Sequence, residues 1–376
     1  MILTQVTWIK RTRKLNNYRC ALTAVTERVT MYLTKGIGAL PLFIALSCML
    51  VSSVVLAQGR VQAVRAVRAQ LNPQANALSV MTFNILASSL KRKGCASWQE
   101  RRSSVARAIL KHSPDIVGIQ EATPVQMHDL DISLTGYASV RGKGAKRRGG
   151  KGKYESTPIY YKKSRFTKVL DRNGSYKSSK GLIPQERVWN VVQLRDRKSQ
   201  RHYLVVNTHW ESRHSRYRNR AAKELVNILR QLRVTFPYDT IFVIGDFNAR
   251  YQNNHKDKAI KTLLTGFPLM ESHCSQHQTN EGTANKKCSG RSDGKRIDHI
   301  FFSAPAMSPF NLTHWPATNA QKLAAVDAQC RKRFGQVKQV VVDKSPQGRT
   351  RRGKPMYPSD HFPVVTKFVL DPQTKR

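Results

Sequence analysis

Short segments that place polar side chains at the ends of apolar, strand-like runs constrain this chain more than any other feature of its sequence. They occur in a fixed order: TFNIL (82–86), GIQE (118–121), NTHW (207–210), GDFN (245–248) and, near the C-terminus, RIDHIFF (296–302) with SDHFPV (359–364). Short apolar runs are typical of buried strands. The segments therefore place carboxylates, imidazoles and carboxamides at strand ends, where loops present side chains for binding and catalysis.

The chain of 376 residues has room for one large domain or two small ones. No evident linker interrupts the six segments, so we predict one catalytic domain at 78–370, preceded by a linker at 58–77 and followed by a tail at 371–376. A hydrophobic content of 40% is enough to build a core of that size. We expect a monomer.

The N-terminal 57 residues have the pattern of an export signal. Residues 38–57 are continuously apolar, follow Lys35 and end in the small-residue cleavage pattern VLA. The pattern predicts a signal peptide cleaved before Gln58, or an uncleaved signal anchor. The segment before it is long for a signal peptide, which makes Met31 an alternative start. Both interpretations place the catalytic domain outside the cytosol, either secreted or anchored to a membrane.

The formal net charge of +42 belongs mostly to the predicted domain. Residues 1–57 hold seven Lys or Arg and one Glu, so 58 basic and 22 acidic residues remain, a net charge of +36. Such a field attracts nucleic acid or an anionic membrane. A charge kept only for solubility is the weaker interpretation, because acidic residues serve solubility better.

Cysteine usage agrees with export. Two of the six cysteines fall in the leader, and an even number remains for an oxidising compartment. The remaining four allow three connectivities; we favour Cys274–Cys288, which bracket a polar segment, with Cys95–Cys330 as the second bond. A zinc site is the less favoured alternative, because no C-x-x-C or matching histidine pair is present.

Strands and helices alternate along the predicted domain. Ser97 and Glu100 form a capping box that opens a helix to about 111, with Val105, Ala106, Ile109 and Leu110 on its apolar face. A second helix is predicted at 219–233, and strands are predicted at 77–86, 115–120, 157–162, 188–194, 202–208, 240–244, 297–302 and 362–370. This mixture favours an α/β domain of two packed sheets with helices outside.

Together the six segments resemble those of the endonuclease/exonuclease/phosphatase superfamily, also called the deoxyribonuclease-I-like fold, over roughly residues 78–370. The resemblance implies a four-layer α/β/β/α sandwich of two mixed sheets. It also implies a metal-dependent phosphodiester hydrolase.

Three residues are the predicted metal site. Glu121 ends a strand, and its hard oxygen ligands suit Mg²⁺, with Mn²⁺ or Ca²⁺ as alternatives. Asn84 is a carboxamide within a buried strand, where an unpaired amide is costly. By resemblance Asn84 orients Glu121 and the phosphate, and Asp360 lies at the metal.

The predicted acid–base groups follow the other segments. Asp246 and Asn248 project to the same side if the backbone stays extended, although GDFN also fits a simple turn. The resemblance implies that Asp246 aligns or deprotonates the attacking water and that Asn248 holds the phosphate.

Two histidines complete the predicted site. We expect His209 to pair with Glu155 and His361 with Asp298, since a carboxylate fixes the tautomer and raises the pKa of an imidazole. The resemblance implies that His361 contacts the scissile phosphate and that His209 protonates the leaving oxygen.

Two basic, Gly-containing stretches at 141–153 and 344–354 lack apolar periodicity and are predicted to be exposed loops. A charged loop is often merely solvated, but each of these precedes a catalytic segment. We therefore predict phosphate contacts from these loops and from the segment after NTHW, through Lys146, Arg147, Arg148, Arg351, Arg352, Arg213 and Arg216.

Three functions remain open. The first is a secreted Mg²⁺-dependent nuclease that cuts DNA, with RNA as an alternative, and has little sequence preference. The second is a phosphoinositide or sphingomyelin phosphohydrolase at anionic membranes. The third, a non-catalytic binding module, is disfavoured because every predicted catalytic residue is present. Leu86, together with the histidine of NTHW, separates the chain from the abasic-site repair branch.

Overall fold

The computed structural model describes residues 77–145, 155–179, 186–250, 258–273, 282–303, 337–350 and 353–369. The first elements are β1 (Ala77–Asn84), α1 (Trp98–His112), β2 (Ile116–Gln120), α2 (Pro124–Ser133), β3 (Tyr137–Val140), β4 (Ile159–Lys162), β5 (Phe166–Ser175) and β6 (Val188–Asp196). They are followed by β7 (His202–His209), α3 (Ser215–Thr235), β8 (Thr240–Asp246), α4 (Ala259–Gly266), β9 (Met270–Glu271), β10 (Asp298–Phe302), β11 (Val337–Val342) and β12 (Val364–Val369). Single 3₁₀ turns lie at Lys177–Ser179 and Lys286–Cys288.

Two mixed sheets of six strands carry the site. The first sheet has the order β11-β12-β1-β2-β4-β3 and the second β5-β6-β7-β8-β10-β9. Each has one parallel pair at its centre, β1 with β2 and β7 with β8. Each parallel pair is joined by a crossover helix, α1 in the first sheet and α3 in the second. The segments TFNIL, GIQE, NTHW and GDFN lie at the carboxyl ends of these four strands, β1, β2, β7 and β8.

Apolar side chains form three layers of core between four layers of structure. One core lies between the sheets and includes Val80, Val205, Phe242 and Phe368. A second packs α1 and α2 against the first sheet, and a third packs α3 and α4 against the second sheet. The predicted α/β/β/α sandwich is confirmed.

Glycines in two of the segments allow close approach of backbone and side chains. A Cβ on Gly118 of β2 would lie 2.6 Å from Ile244 Cδ1 of the facing sheet. Gly245 of β8 has a φ of +152°, and a Cβ there would lie 2.0 Å from the Thr208 carbonyl oxygen of β7. Only glycine lets β7 and β8 pair closely enough to bring their ends together.

Helix α1 begins and ends where its sequence predicts. Ser97 and Glu100 form the capping box, and Ser113 stops the helix in a left-handed conformation. The predicted apolar face is wrong at one position, because Leu110 is 48% exposed. The buried face also includes Trp98 and Arg101, which lie two turns and one turn before Val105.

Helix α2 was not predicted, although Thr123 and Gln126 form a capping box with Pro124 at the first turn.

The base of the second basic loop is anchored on α1. Asp343 Oδ2 accepts hydrogen bonds from Lys111 Nζ at 2.9 Å and His112 Nε2 at 2.7 Å, and Ser104 Oγ donates to the carbonyl oxygen of Gln347 at 3.0 Å. Burial raises the pKa of Asp343, but hydrogen bonds from His112, Ser345 and Lys111 outweigh it and hold that pKa well below its usual range.

The predicted disulfide pairing is wrong. Cys95 is bonded to Cys288 across 193 residues, which excludes both Cys274–Cys288 and Cys95–Cys330. The loops that follow β1 and precede β10 meet at one end of the sandwich, a proximity that nearness in sequence does not reveal. Cys274 and Cys330 themselves lie outside the described residues.

Residues 1–76, which include the predicted leader and nearly all of the predicted linker, also lie outside the described residues, as does the tail. Within the described part of the chain, no helix is long and apolar enough to span a membrane.

Candidate active site

Six polar side chains converge where the central strands of both sheets end. Asn84 ends β1, Glu121 follows β2, His209 ends β7 and Asp246 ends β8. Asp298, the first residue of β10, stands opposite Asp246 in the antiparallel register. His361 reaches the same place from the loop before β12, where it bonds to Asp298.

Asn84 connects two of the carboxylates. Its Nδ2 donates to Glu121 Oε1 at 3.0 Å and to Asp246 Oδ2 at 3.0 Å, while its Oδ1 accepts from the Leu86 amide at 3.0 Å. Asn84 is fully buried, so these partners satisfy a carboxamide that would otherwise be costly to bury. Asn84 thus lies beside Glu121, as the resemblance implied.

Glu121 is an ionised carboxylate in a strained position. Its φ of 60° is left-handed, a conformation that bulky residues seldom adopt away from functional sites. Burial raises its pKa, but the His209 ring, the Asn84 amide and the Ala87 backbone N–H outweigh burial and lower that pKa to about 2. Glu121 therefore carries its negative charge at any physiological pH.

Asp298, His361 and Asp246 form a second linked set. His361 Nδ1 lies 2.9 Å from Asp298 Oδ2, and His361 Nε2 lies 3.7 Å from Asp246 Oδ2. Burial lowers the pKa of His361, but the charges of Asp298 and Asp246 outweigh it and hold that pKa well above its usual value. Burial and the charge of Asp298 raise the pKa of Asp246 to about 7. The predicted partnership of His361 with Asp298 is present.

His209 has surroundings that the sequence did not predict. Its two ring nitrogens each lie 3.4 Å from Arg187 Nη1, and Nε2 lies 3.5 Å from Asp246 Oδ2. Burial and the charge of Arg187 lower the pKa of His209 to about 3. The expected rise in pKa was therefore wrong, and His209 is neutral at pH 7. Glu155 is buried, and its pairing with His209 stays a prediction.

Asn248 lies in a turn, the alternative that GDFN also allowed, and not on an extended backbone. Its φ is 49°, and its amide donates to Asp246 Oδ1 at 2.9 Å. Its side-chain Nδ2 donates to the Trp210 carbonyl oxygen at 3.0 Å. GDFN is thus a turn whose backbone fixes one oxygen of Asp246.

Asp360, predicted at the metal, pairs with Arg92. Arg92 Nε lies 3.1 Å from Asp360 Oδ2. Both Asp360 and Glu121 act electrostatically on the buried guanidinium of Arg101, which places the two carboxylates in one neighbourhood.

The residues present fit a divalent cation. Asp246, Asp298 and His361 offer ligand atoms within 4.8 Å of one another, and Asp298 Oδ1 is buried with no hydrogen-bond partner in the described residues. His361 Nδ1 already contacts Asp298, however, and a hard cation prefers oxygen ligands. Glu121 is ionised, and each of its oxygens accepts one hydrogen bond, which leaves further lone pairs for a ligand role. We therefore favour Glu121 as the principal ligand.

Two arginines at the site were missed. Arg101 of α1 is 1% exposed and donates to the carbonyl oxygens of Ile85, Leu86 and Pro358. Arg101 lies four residues before Val105 and so falls on the apolar face of the helix, which was the signal available in the sequence. Arg187 contacts His209 and Glu211, and nothing in its local sequence pointed to the site.

The predicted phosphate-binding residues are only partly described. Arg213 and Arg216 are exposed beside the end of β7, and the guanidinium of Arg216 lies over the Tyr217 ring. Arg218, from the same segment, is buried and donates to the carbonyl oxygens of Glu211 and Ser212. Lys146, Arg147, Arg148, Arg351 and Arg352 lie outside the described residues.

Solved structures with this fold include proteins of different activities. An endonuclease/exonuclease/phosphatase family protein from Bacteroides thetaiotaomicron is 20% identical, with a TM-score of 0.59 over 78% of this chain and 98% of that chain. A mannosyl-6-phosphatase from the same organism is 21% identical, with a TM-score of 0.58 over 78% and 100% of the two chains. TDP2 from D. rerio, in complex with a single-strand DNA product, is 17% identical, with a TM-score of 0.53 over 78% and 98%.

No curated protein matches the chain. The profile of the endonuclease/exonuclease/phosphatase family matches residues 81–361, which include every residue of the site described above. Members of this family hydrolyse phosphodiesters or phosphate esters with divalent metals. The chain therefore belongs to the endonuclease/exonuclease/phosphatase family of metal-dependent phosphoesterases.

Proposed function

We propose that the protein is a Mg²⁺-dependent nuclease that hydrolyses DNA, with RNA as an alternative substrate, and has little sequence preference. The observation that supports it most is a buried, linked set of catalytic-type groups at the strand ends of a domain that carries a large positive charge. The linked groups suit phosphate hydrolysis, and the charge suits a polyanion.

In this proposal Asp246 accepts the proton of the attacking water. A base with a pKa near 7 is well matched to that task at neutral pH. Asn84 and the Asn248 amide hold both oxygens of Asp246, and so fix the direction from which a proton is taken.

His361 supplies positive charge to the phosphate. It is protonated because Asp298 and Asp246 face its ring, and it binds a non-bridging oxygen of the scissile group. The ring of His209 is neutral, so it does not suit the predicted role of proton donor to the leaving oxygen. It instead orients substrate through a hydrogen bond. A bound Mg²⁺ held by Glu121, with Asp360, would neutralise developing negative charge.

The substrate assignment is supported by charge and by one structural relative. TDP2 was solved with a single-strand DNA product, whereas another relative is a mannosyl-6-phosphatase. A small sugar phosphate needs few cations, but this chain has 65 Lys and Arg against 23 Asp and Glu. The excess favours a polymer of phosphates.

A panel of phosphate esters tests this function. We expect wild-type protein in Mg²⁺ to hydrolyse plasmid and single-stranded DNA faster than RNA, a hexose 6-phosphate, or vesicles that contain phosphoinositide or sphingomyelin. His361→Ala, which removes the proposed phosphate contact, serves as the background control. Faster turnover of the sugar phosphate would favour a phosphomonoesterase, and faster turnover of either lipid would favour the membrane enzyme.

We further propose export, on the strength of the apolar segment 38–57. N-terminal sequencing of the protein recovered outside the cytosol should begin near Gln58. Recovery only from the cytosol with the segment intact would contradict export.

A further inference from the structure

The Cys95–Cys288 disulfide joins two strongly basic loops beside the site. The loop after β1 carries Lys91, Arg92 and Lys93, and the loop before β10 carries Lys286, Lys287 and Arg291. All six side chains are exposed. We call these six residues the disulfide-joined patch.

The two loops are held firmly against each other. Gly94 has a φ of 89°, and a Cβ on it would lie 2.5 Å from the Lys287 carbonyl oxygen. The second loop is closed by a hydrogen bond from the Lys286 amide to the Arg291 carbonyl oxygen at 2.8 Å. Its Asn285 Oδ1 also accepts from the Gly290 amide at 2.9 Å. The patch therefore has a defined shape that does not depend on a ligand.

Little within the described residues neutralises the patch. Arg92 pairs with Asp360, and no described carboxylate lies within ion-pair distance of Lys91, Lys93, Lys286, Lys287 or Arg291. Bringing like charges together is unfavourable, so a covalent bond that holds them together makes physical sense for a surface that receives an anion.

The patch adjoins the His361 side of the site. The Asn285 amide donates to the Asp360 carbonyl oxygen at 2.7 Å, and Asn285 Nδ2 donates to the Ser359 carbonyl oxygen at 2.9 Å. In the second sheet, β8 lies between β7 and β10. The loop with Lys286, Lys287 and Arg291 leads into β10, and Arg213 follows β7, so these two segments adjoin the strands on either side of β8, which carries Asp246.

We propose that the disulfide-joined patch binds the sugar–phosphate backbone of a nucleic acid on the His361 side, while Arg213 and Arg216 bind it on the His209 side. A chain held on both sides of the reacting phosphate is cut internally, so the enzyme is an endonuclease. The inference rests on the proposed nuclease function and adds to it where the polymer lies.

Binding of duplex DNA across a salt series tests the patch directly. The full chain carrying His361→Ala is used, so that DNA is bound and not consumed. Adding K91Q, K93Q, K286Q and K287Q should lower affinity and reduce the log–log salt slope by about 0.9 for each phosphate that is no longer neutralised. Arg92 is left intact because it pairs with Asp360.

A matched control removes four charges from the opposite end of the sandwich. K163Q, R195Q, R197Q and K198Q replace exposed residues in the turn after β4, near the end of β6, and in the turn between β6 and β7. We expect this control to leave the salt slope nearly unchanged. Equal slope changes in the two quadruple variants would overturn the proposal, because net charge alone would then explain binding.

Two further measurements complete the test. C95S with C288S keeps every cation but frees the loops, and should weaken DNA binding; unchanged affinity in a folded variant would overturn the role of the disulfide. Wild-type protein should cut covalently closed circular DNA, whereas cleavage of linear DNA only from its ends would overturn internal cutting. If the protein binds DNA through the patch but hydrolyses no DNA, the proposed function fails while the binding surface stands.

Discussion

Replacing Arg101 by Met should destabilise the domain and displace both halves of the site. The guanidinium is 1% exposed and donates to three carbonyl oxygens, two in the loop after β1 and one just before Ser359. Burial lowers its pKa to about 10, so it remains charged at neutral pH. A methionine fills similar volume but leaves the three buried carbonyls unpaired.

The expected cost follows from those hydrogen bonds. Removing one partner from a buried charged network costs about 3–5 kcal/mol, because the groups left behind are neither paired nor hydrated. For a domain of this size each kcal/mol lowers Tm by roughly 2–4 °C, so we expect a fall of about 6–20 °C.

The assay compares two neighbouring positions on α1. Arg102 is exposed, so Arg102→Met changes the same chemistry at the surface and should stay within about 0.5 kcal/mol of wild type. Thermal unfolding measures both variants, and kcat is measured at a temperature where both are folded. If Arg101→Met melts within about 2 °C of Arg102→Met, a fall smaller than the range just derived, the reasoning is refuted.

Three further outcomes are expected. Asp298→Asn should lower kcat by about 10²-fold or more, because His361 loses the carboxylate that favours its charged form; a folded variant with a wild-type rate would remove Asp298 from the mechanism. Peptide mapping without reduction should recover Cys95 linked to Cys288, and their replacement by serine should cost about 2–4 kcal/mol; two free thiols would contradict the structure. The pKa of Asp343 in the folded protein lies below its unfolded value. The ionised carboxylate therefore stabilises the fold above about pH 3.9, and this stabilisation is lost as pH falls further. The free energy of unfolding, measured in urea, should fall less from neutral to acid pH in Asp343→Asn than in wild type, and an equal fall in both proteins would contradict this.

The positions of four catalytic segments could be predicted because each ends or directly follows a short apolar run of the kind that forms buried strands. Strands β1, β2, β7 and β8 each contain a run of buried apolar residues, and their parallel pairing carries Asn84, Glu121, His209 and Asp246 to one edge. That relation depends only on strand direction. It therefore survives errors of a residue or two in the strand bounds.

Contacts between distant segments could not be predicted. The Cys95–Cys288 bond depends on how the two sheets stack, and Arg187 reaches His209 only because β6 pairs beside β7. The pKa of His209 falls for the same reason, since both its burial and its cationic neighbour come from tertiary packing. Weakly patterned elements were also missed, as β5 shows with its mostly exposed polar residues.

Conversion of closed circular plasmid DNA, with and without chelator, is the most direct test of the central claim. Wild-type protein in Mg²⁺ should nick the plasmid, lose activity in excess chelator and recover when Mg²⁺ is restored. Glu121→Gln keeps the size of the side chain, removes the charge proposed to hold the metal, and should be nearly inactive. Equal cleavage in chelator, or a fully active Glu121→Gln variant, would contradict the account.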